Sequence, residues 1–127
     1  KEMSKNFAGQ IHLVFGNVDG DPSSMLLAKG RGGLANVNFY GETGELEIEG
    51  KKMAFCHKPL TARGLAASGQ YDLVFFGHTH APGEEKVGQA RLVNPGTLAG
   101  MFNKATFAVL NTKTKYLSLK ILGNLKV

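Results

Sequence analysis

Leu73-Val74-Phe75-Phe76-Gly77-His78-Thr79-His80 is the stretch that decides the reading of this chain. Four consecutive apolar residues closed by a glycine predict a strand buried on both faces. Two imidazoles two residues apart at its end can turn toward one point in space. Neutral imidazole is the commonest protein ligand for transition ions, so the pair points to a metal site. Two ordinary loop histidines are the alternative, and the rest of the chain must decide between them.

Working outward, Tyr71 to Phe76 is the full extent of the expected strand. Before it, Thr61 to Ser68 reads as a short helix, with Thr61 as N-cap and Gly69 as its stop. Met53 to Cys56 is a second buried strand, with His57 at its end. It follows the half-exposed alternation of Glu45, Leu46, Glu47, Ile48 and Glu49, and a turn at Gly50-Lys51 makes the two a hairpin. Val37 to Tyr40 is a further strand, and Gly30 to Gly33 a loop without the Gly-Lys-Ser/Thr ending of a P-loop. Pro22 to Lys29 suits a short helix capped by Asp21. Ile11 to Phe15 reads as a buried strand, and the turn-rich Gly16-Asn17-Val18-Asp19 follows it.

On the other side, Glu85 to Val87 and Arg91 to Val93 form a hairpin through Gly88-Gln89. Asn94-Pro95-Gly96-Thr97 is a tight turn. Ala105 to Leu110 and Tyr116 to Leu122 make a last hairpin. Strands outnumber helices, and some are apolar throughout while others alternate. The fold class expected is α/β, with two packed mixed sheets flanked by helices.

At 127 residues the chain is one domain, large enough for a real core. Hydrophobic residues make 43% and charged residues 20%, as in an ordinary globular protein, and no apolar run approaches a membrane span. No signal-peptide pattern opens the sequence. The single cysteine, Cys56, excludes an intrachain disulfide and fits a reducing cytoplasm. The net charge of +5 is spread along the chain with no basic run, so nucleic acid is not an expected partner except as a nucleotide substrate. A mildly positive field suits a small phosphorylated substrate.

Three expected strand ends carry unusual residues: Asn17 and Asp19, then His57, then His78 and His80. Ligands of open α/β sheets bind outside the carboxyl ends of the strands. If these strands are parallel neighbours, one pocket collects an amide oxygen, a carboxylate and three imidazoles, a credible divalent-metal site. His12 lies mid-strand and is assigned to structure. Cys56 adjoins the site without a partner that would activate it, and reads as a small buried apolar residue. Phe75 and Phe76 read as core.

This ordered set resembles the small members of the calcineurin-like metallophosphoesterase superfamily. That family carries, in order, Asp-X-His, Gly-Asp, Gly-Asn-X-Asp, a His-Gly and Gly-His-X-His. Gly16-Asn17-Val18-Asp19 matches the third, His57 the fourth, and Gly77-His78-Thr79-His80 the fifth. Val93-Asn94-Pro95-Gly96-Thr97 resembles the structural turn that follows. The resemblance implies two divalent metals, Mn first, with Zn, Ni, Fe or Mg as alternatives. It implies Asn17, His57 and His78 on one metal and His80 on the other; Asp19 reads as a group that orients a ligand or caps a turn. Asn17, Asp19 and His57 are the residues expected to take part in catalysis. A metal-activated water would then hydrolyse a phosphoester, with a phosphodiester expected.

The first two motifs do not precede Gln10. Residues 1–127 are therefore expected to be the C-terminal major part of a single such domain, lacking a first strand–helix–strand portion. As it stands the chain would be nearly inactive, with an apolar edge that favours self-association into homo-oligomers. Val18 stands where many members have a histidine that protonates the leaving group, and Lys58 stands where the family has glycine. Lys58 either contacts a substrate phosphate or points into solvent, and solvent is the expectation. The alternative function is a catalytically weak scaffold of the same fold that binds protein partners, as a retromer subunit of eukaryotes does.

Overall fold

A computed structural model describes residues 6–16, 35–79, 81–98 and 104–124. Nine strands and one α-helix lie within them: β1 (Ile11–Leu13), β2 (Val37–Phe39), β3 (Thr43–Ile48), β4 (Lys51–Cys56), α1 (Pro59–Ala67), β5 (Leu73–Phe75), β6 (Gly83–Val87), β7 (Ala90–Asn94), β8 (Thr106–Leu110) and β9 (Leu117–Ile121). The expected helix over Pro22 to Lys29 and the Gly30 to Gly33 loop lie outside the described residues.

The centre is a five-stranded mixed sheet in the order β3-β4-β5-β7-β6. β4, β5 and β7 run parallel, with Ala54 opposite Val74 and Val74 opposite Leu92. The two flanking strands are antiparallel hairpin partners. Glu45, Glu47, Glu84, Glu85 and Lys86 give both edges charge, which discourages further strand pairing.

Alternation along the parallel strands sends side chains to two faces. On one face Ala54, Cys56, Val74, Ala90 and Leu92 pack beneath Ala62 and Ala66 of α1, with Tyr71 closing the cluster. On the other, Met53, Leu73 and Val93 receive Phe75, Leu110 and Leu117, so the β8-β9 hairpin covers that side. Phe75 and Phe76 therefore join opposite cores, as apolar runs in doubly covered strands do. The apolar surface buried here is the main stabilising term, at roughly 25 cal/mol per Å².

β1 and β2 pair in parallel as a separate two-stranded sheet. They reach the main sheet through rings: Tyr40 meets Phe55 edge-on at 5.2 Å, and His12 meets the same ring at 6.5 Å. His12 Nδ1 also lies 2.9 Å from the Tyr40 hydroxyl, which accounts for it structurally. Opposite Phe55 in β3 is Gly44, and a Cβ there would run into the Phe55 ring.

Several boundaries differ from the sequence reading. The first strand is half-buried, not buried, because its neighbour is one short strand and not a sheet centre. It is also not a neighbour of β4 or β5, so the strand ends meet across sheets and not along one. The β3-β4 turn is Glu49-Gly50, not Gly50-Lys51. Both residues have positive φ, at 52° and 73°, which suits the right-handed twist of the flanking strands. Thr61 is not the N-cap. The helix starts two residues earlier, with Lys58 at the cap and Pro59 in the first turn, where the missing N–H of proline is harmless. Gly69, with φ of 78°, ends it as expected.

Candidate functional site

Adjacent parallel strands bring His57 and His78 together. β4 ends at Cys56 and β5 at Phe75, and Phe55 lies opposite Phe75 in the register. Gly77 N then donates to His57 O at 3.2 Å, tying the two exit loops. The imidazoles cross at 88° with centroids 5.1 Å apart. His57 Nε2 and His78 Nδ1 are 3.2 Å from each other.

Backbone features fix these rings. His78 has φ of 70°, a left-handed value that is uncommon for a residue with a Cβ. Thr79 N donates back to Gly77 O at 2.9 Å across it, closing a three-residue turn of the strained hand. Such conformations persist only where the surroundings over-determine them, and they cluster at functional sites. Gly16 and Gly77 flank the His57 ring. A Cβ on Gly16 would sit 3.1 Å from His57 Nδ1, and one on Gly77 at 3.5 Å. A side chain at position 16 would push the His57 ring aside by a few tenths of an ångström.

Asn94 is the residue that sequence reasoning missed as a site element. It is 2% exposed at the end of β7. Its Nδ2 donates to Thr79 Oγ1 at 2.8 Å, and its Oδ1 accepts from Gly96 N at 2.9 Å. It thus anchors the residue between the two histidines of the Gly-His-X-His motif. The signal available was its place at a predicted strand end, before Pro95-Gly96. Gly96 has φ of 85°, and a Cβ there would strike Thr106, whose hydroxyl donates to Pro95 O at 2.8 Å.

A cleft of about 380 Å³ opens beside His57, with Phe15, Gly16, Glu42, Lys58 and Thr61 among its walls. Lys58 is exposed, as expected, yet it borders this cleft. Cys56 is buried, and its thiol donates to Lys58 O at 3.6 Å. Burial pushes the thiol pKa up, against a smaller lowering by that hydrogen bond, which suits a structural and not a reactive cysteine.

Of the predicted site residues, the structure brings His57 and His78 together. Asn17, Asp19 and His80 lie outside the described residues. Among the described residues, no three of His, Cys, Asp and Glu converge on one point. The two imidazoles nonetheless fit one divalent ion. Ligand nitrogens about 2.0–2.1 Å from a metal stand roughly 2.8–3.4 Å from each other, from cis-octahedral to tetrahedral angles. The 3.2 Å between His57 Nε2 and His78 Nδ1 lies in that range.

Comparison with known proteins settles the family. The model of the calcineurin-like phosphoesterase superfamily domain matches residues 1–115. This chain belongs to that superfamily. Its activity class is therefore phosphoester hydrolysis, and the family works through divalent metal ions. An archaeal phosphodiesterase of known structure is 26% identical, with a TM-score of 0.81 over 95% of this chain and 73% of its own. Vps29 of Cryptosporidium parvum shares the fold at 18% identity and a TM-score of 0.60, over 94% of this chain and 72% of its own. Vps29 of Entamoeba histolytica, solved in complex with zinc, does so at 16% identity and 0.50, over 91% and 83%. A search of curated protein sequences gave no match. Among the described residues, no helix is long and apolar enough to cross a membrane.

Proposed function

We propose that this chain carries the histidine half of a metal-dependent phosphodiesterase site, acting on a small phosphorylated molecule. The observation that carries the reading is the crossing of His57 Nε2 and His78 Nδ1 at 3.2 Å, at the ends of adjacent parallel strands. His57 and His78 would hold one divalent ion together with Asn17, and His80 would reach a second. Manganese is the first candidate, since a mixed amide and imidazole donor set suits it as well as zinc. When bound, the metal supplies an activated water and neutralises charge on the phosphoryl oxygens.

The residues of the chain do the rest. Asn94, through Thr79, and the left-handed turn at His78 hold one imidazole in place. Gly16 and Gly77 leave room for the other. The cleft beside His57 receives the substrate, and Lys58 at its border offers a cation to a phosphate oxygen. Val18 supplies no proton to a leaving group, so esters with acidic leaving alcohols are the preferred substrates. All the proposed ligands in this chain are neutral. The carboxylates that bridge two ions in this family belong to the Asp-X-His and Gly-Asp motifs, which do not precede Gly16 within residues 1–127.

The test is hydrolysis of an activated phosphodiester, bis(p-nitrophenyl) phosphate, with added Mn, alongside elemental analysis of bound metal. His78→Ala should abolish metal retention together with whatever hydrolysis the chain shows. Full metal retention in that variant would overturn the ligand assignment. The competing reading is a protein-binding scaffold, favoured by Val18 and by the fold shared with Vps29. It predicts metal binding without turnover of the activated phosphodiester.

A further inference from the structure

The opposite end of the central sheet carries a second concave site. It lies where β4, β5 and β7 begin, some six residues along β4 from His57, or about 20 Å. Lys51, Asp72, Glu84, Lys86, Arg91 and Lys115 line a pocket of about 380 Å³ there. Four cations face two carboxylates, and both carboxylates already have partners. Glu84 accepts from Arg91 Nε at 2.7 Å, and Asp72 accepts from the backbone N–H of Lys52 at 2.9 Å. Among the described residues, Lys51, Lys86 and Lys115 form no ion pair with a carboxylate.

The position of Lys115 is built and not incidental. Its backbone has φ of 64°, again left-handed for a residue with a Cβ. Lys115 N donates to Asn111 O at 2.7 Å, and Arg91 Nη1 donates to Lys115 O at 2.9 Å. The Asn111 side chain accepts from Lys113 N and Thr114 N, so the whole β8-β9 turn is braced. Lys51 lines the same pocket, and hydrogen bonding with it, then its like charge, hold the Lys115 pKa below its ordinary value. Asp72 offsets only part of this. Two like charges in one concave pocket, compensated only in part by Asp72, are satisfied by an anion with several oxygens placed between them.

We propose that the pocket formed by Lys51, Lys86, Arg91 and Lys115 binds the phosphate groups of a small organic phosphate, at a site separate from the histidine centre. Its volume falls in the range of small-molecule pockets and exceeds what one inorganic phosphate fills. This inference does not depend on the function proposed for His57 and His78.

Titration of the full chain with inorganic pyrophosphate and with ADP, followed by calorimetry and amide NMR at constant ionic strength, tests it. Saturable binding of either ligand is expected, with shifts confined to residues around Lys51, Asp72, Arg91 and Lys115. Tighter binding of ADP than of pyrophosphate would show that the organic moiety contributes. Equal binding would assign recognition to the phosphates alone, still at this pocket. The pair Lys51→Gln and Lys115→Asn should weaken binding by at least about tenfold. Asparagine tolerates the left-handed backbone at 115, and a circular dichroism spectrum verifies the fold. Non-saturable binding, shifts spread over all surface lysines, or full affinity in the double variant would overturn the proposal. So would binding of an acidic peptide in place of both phosphates.

Discussion

The two ends of the same three parallel strands are built by opposite means. At the carboxyl ends, short rings are held by glycines, a buried asparagine and a strained turn. At the amino ends, long side chains, exposed at Lys86 and Lys115 and half-buried at Lys51 and Arg91, place charge, and a hairpin turn braces only the backbone beneath Lys115. The lesson is that coordination demands position, whereas attraction of an anion demands net charge in a concave place. The first should be sensitive to packing and indifferent to salt, and the second the reverse.

The largest expected effect lies at the histidine end. His57→Ala should lower Mn or Zn affinity more than about 100-fold, since losing a direct ligand exceeds the 10- to 100-fold typical of the groups that merely orient one. Isothermal titration checks this, and pyrophosphate binding at the far end should not change. Retained metal affinity would break the comparison outright.

Asn94→Ala probes position without touching a ligand. It leaves the Thr79 hydroxyl and Gly96 N–H without their partner, so metal affinity should fall about 10- to 100-fold. Urea unfolding should show a loss of about 1–3 kcal/mol. A stability loss with metal affinity intact would reduce Asn94 to a purely structural role.

Salt should separate the ends directly. Raising ionic strength from about 0.05 to about 0.5 M should weaken pyrophosphate binding roughly tenfold while leaving metal affinity nearly constant. Equal salt dependence at both sites would erase the distinction.

Smaller effects sharpen it. His78→Gly removes the left-handed penalty, about 1 kcal/mol once the entropy of glycine is counted against it, so the variant should melt higher yet bind metal poorly. Differential scanning calorimetry reads the first and elemental analysis the second. Tyr71 supplies the pH dependence. Its hydrogen bond to Glu45, then burial, raise its pKa above the ordinary value near 10. The folded state therefore holds this proton more tightly than the unfolded chain. The stabilisation is complete below the unfolded pKa and is lost as pH rises through the folded one. Tyr71→Phe should lower stability by about 1 kcal/mol at neutral pH and flatten the alkaline limb of a stability profile.

The strand and hairpin pattern was legible because burial on two faces leaves apolar runs, as in Leu73–Phe75, and burial on one face leaves alternation, as in β3. The histidines were legible because their spacing and order are local facts of the chain. The start of α1 was misread: Thr61 is the better capping residue by type, but Pro59 fixes the helix two residues earlier. Asn94 was not legible as part of the site, because its importance comes from Thr79, fifteen residues away. The basic pocket was not legible either. Lys51 and Lys115 stand far apart in a chain whose lysines look evenly scattered.

By itself, then, the sequence determined most of the described secondary elements and the superfamily, since each depends on residue type and spacing within short segments. The tertiary structure alone decided that β1 belongs to a separate sheet yet ends against His57, that Nε2 of one imidazole meets Nδ1 of the other, and that Lys51 and Lys115 share one pocket. Those outcomes depend on strand order and register, which are set by packing between segments remote in the chain.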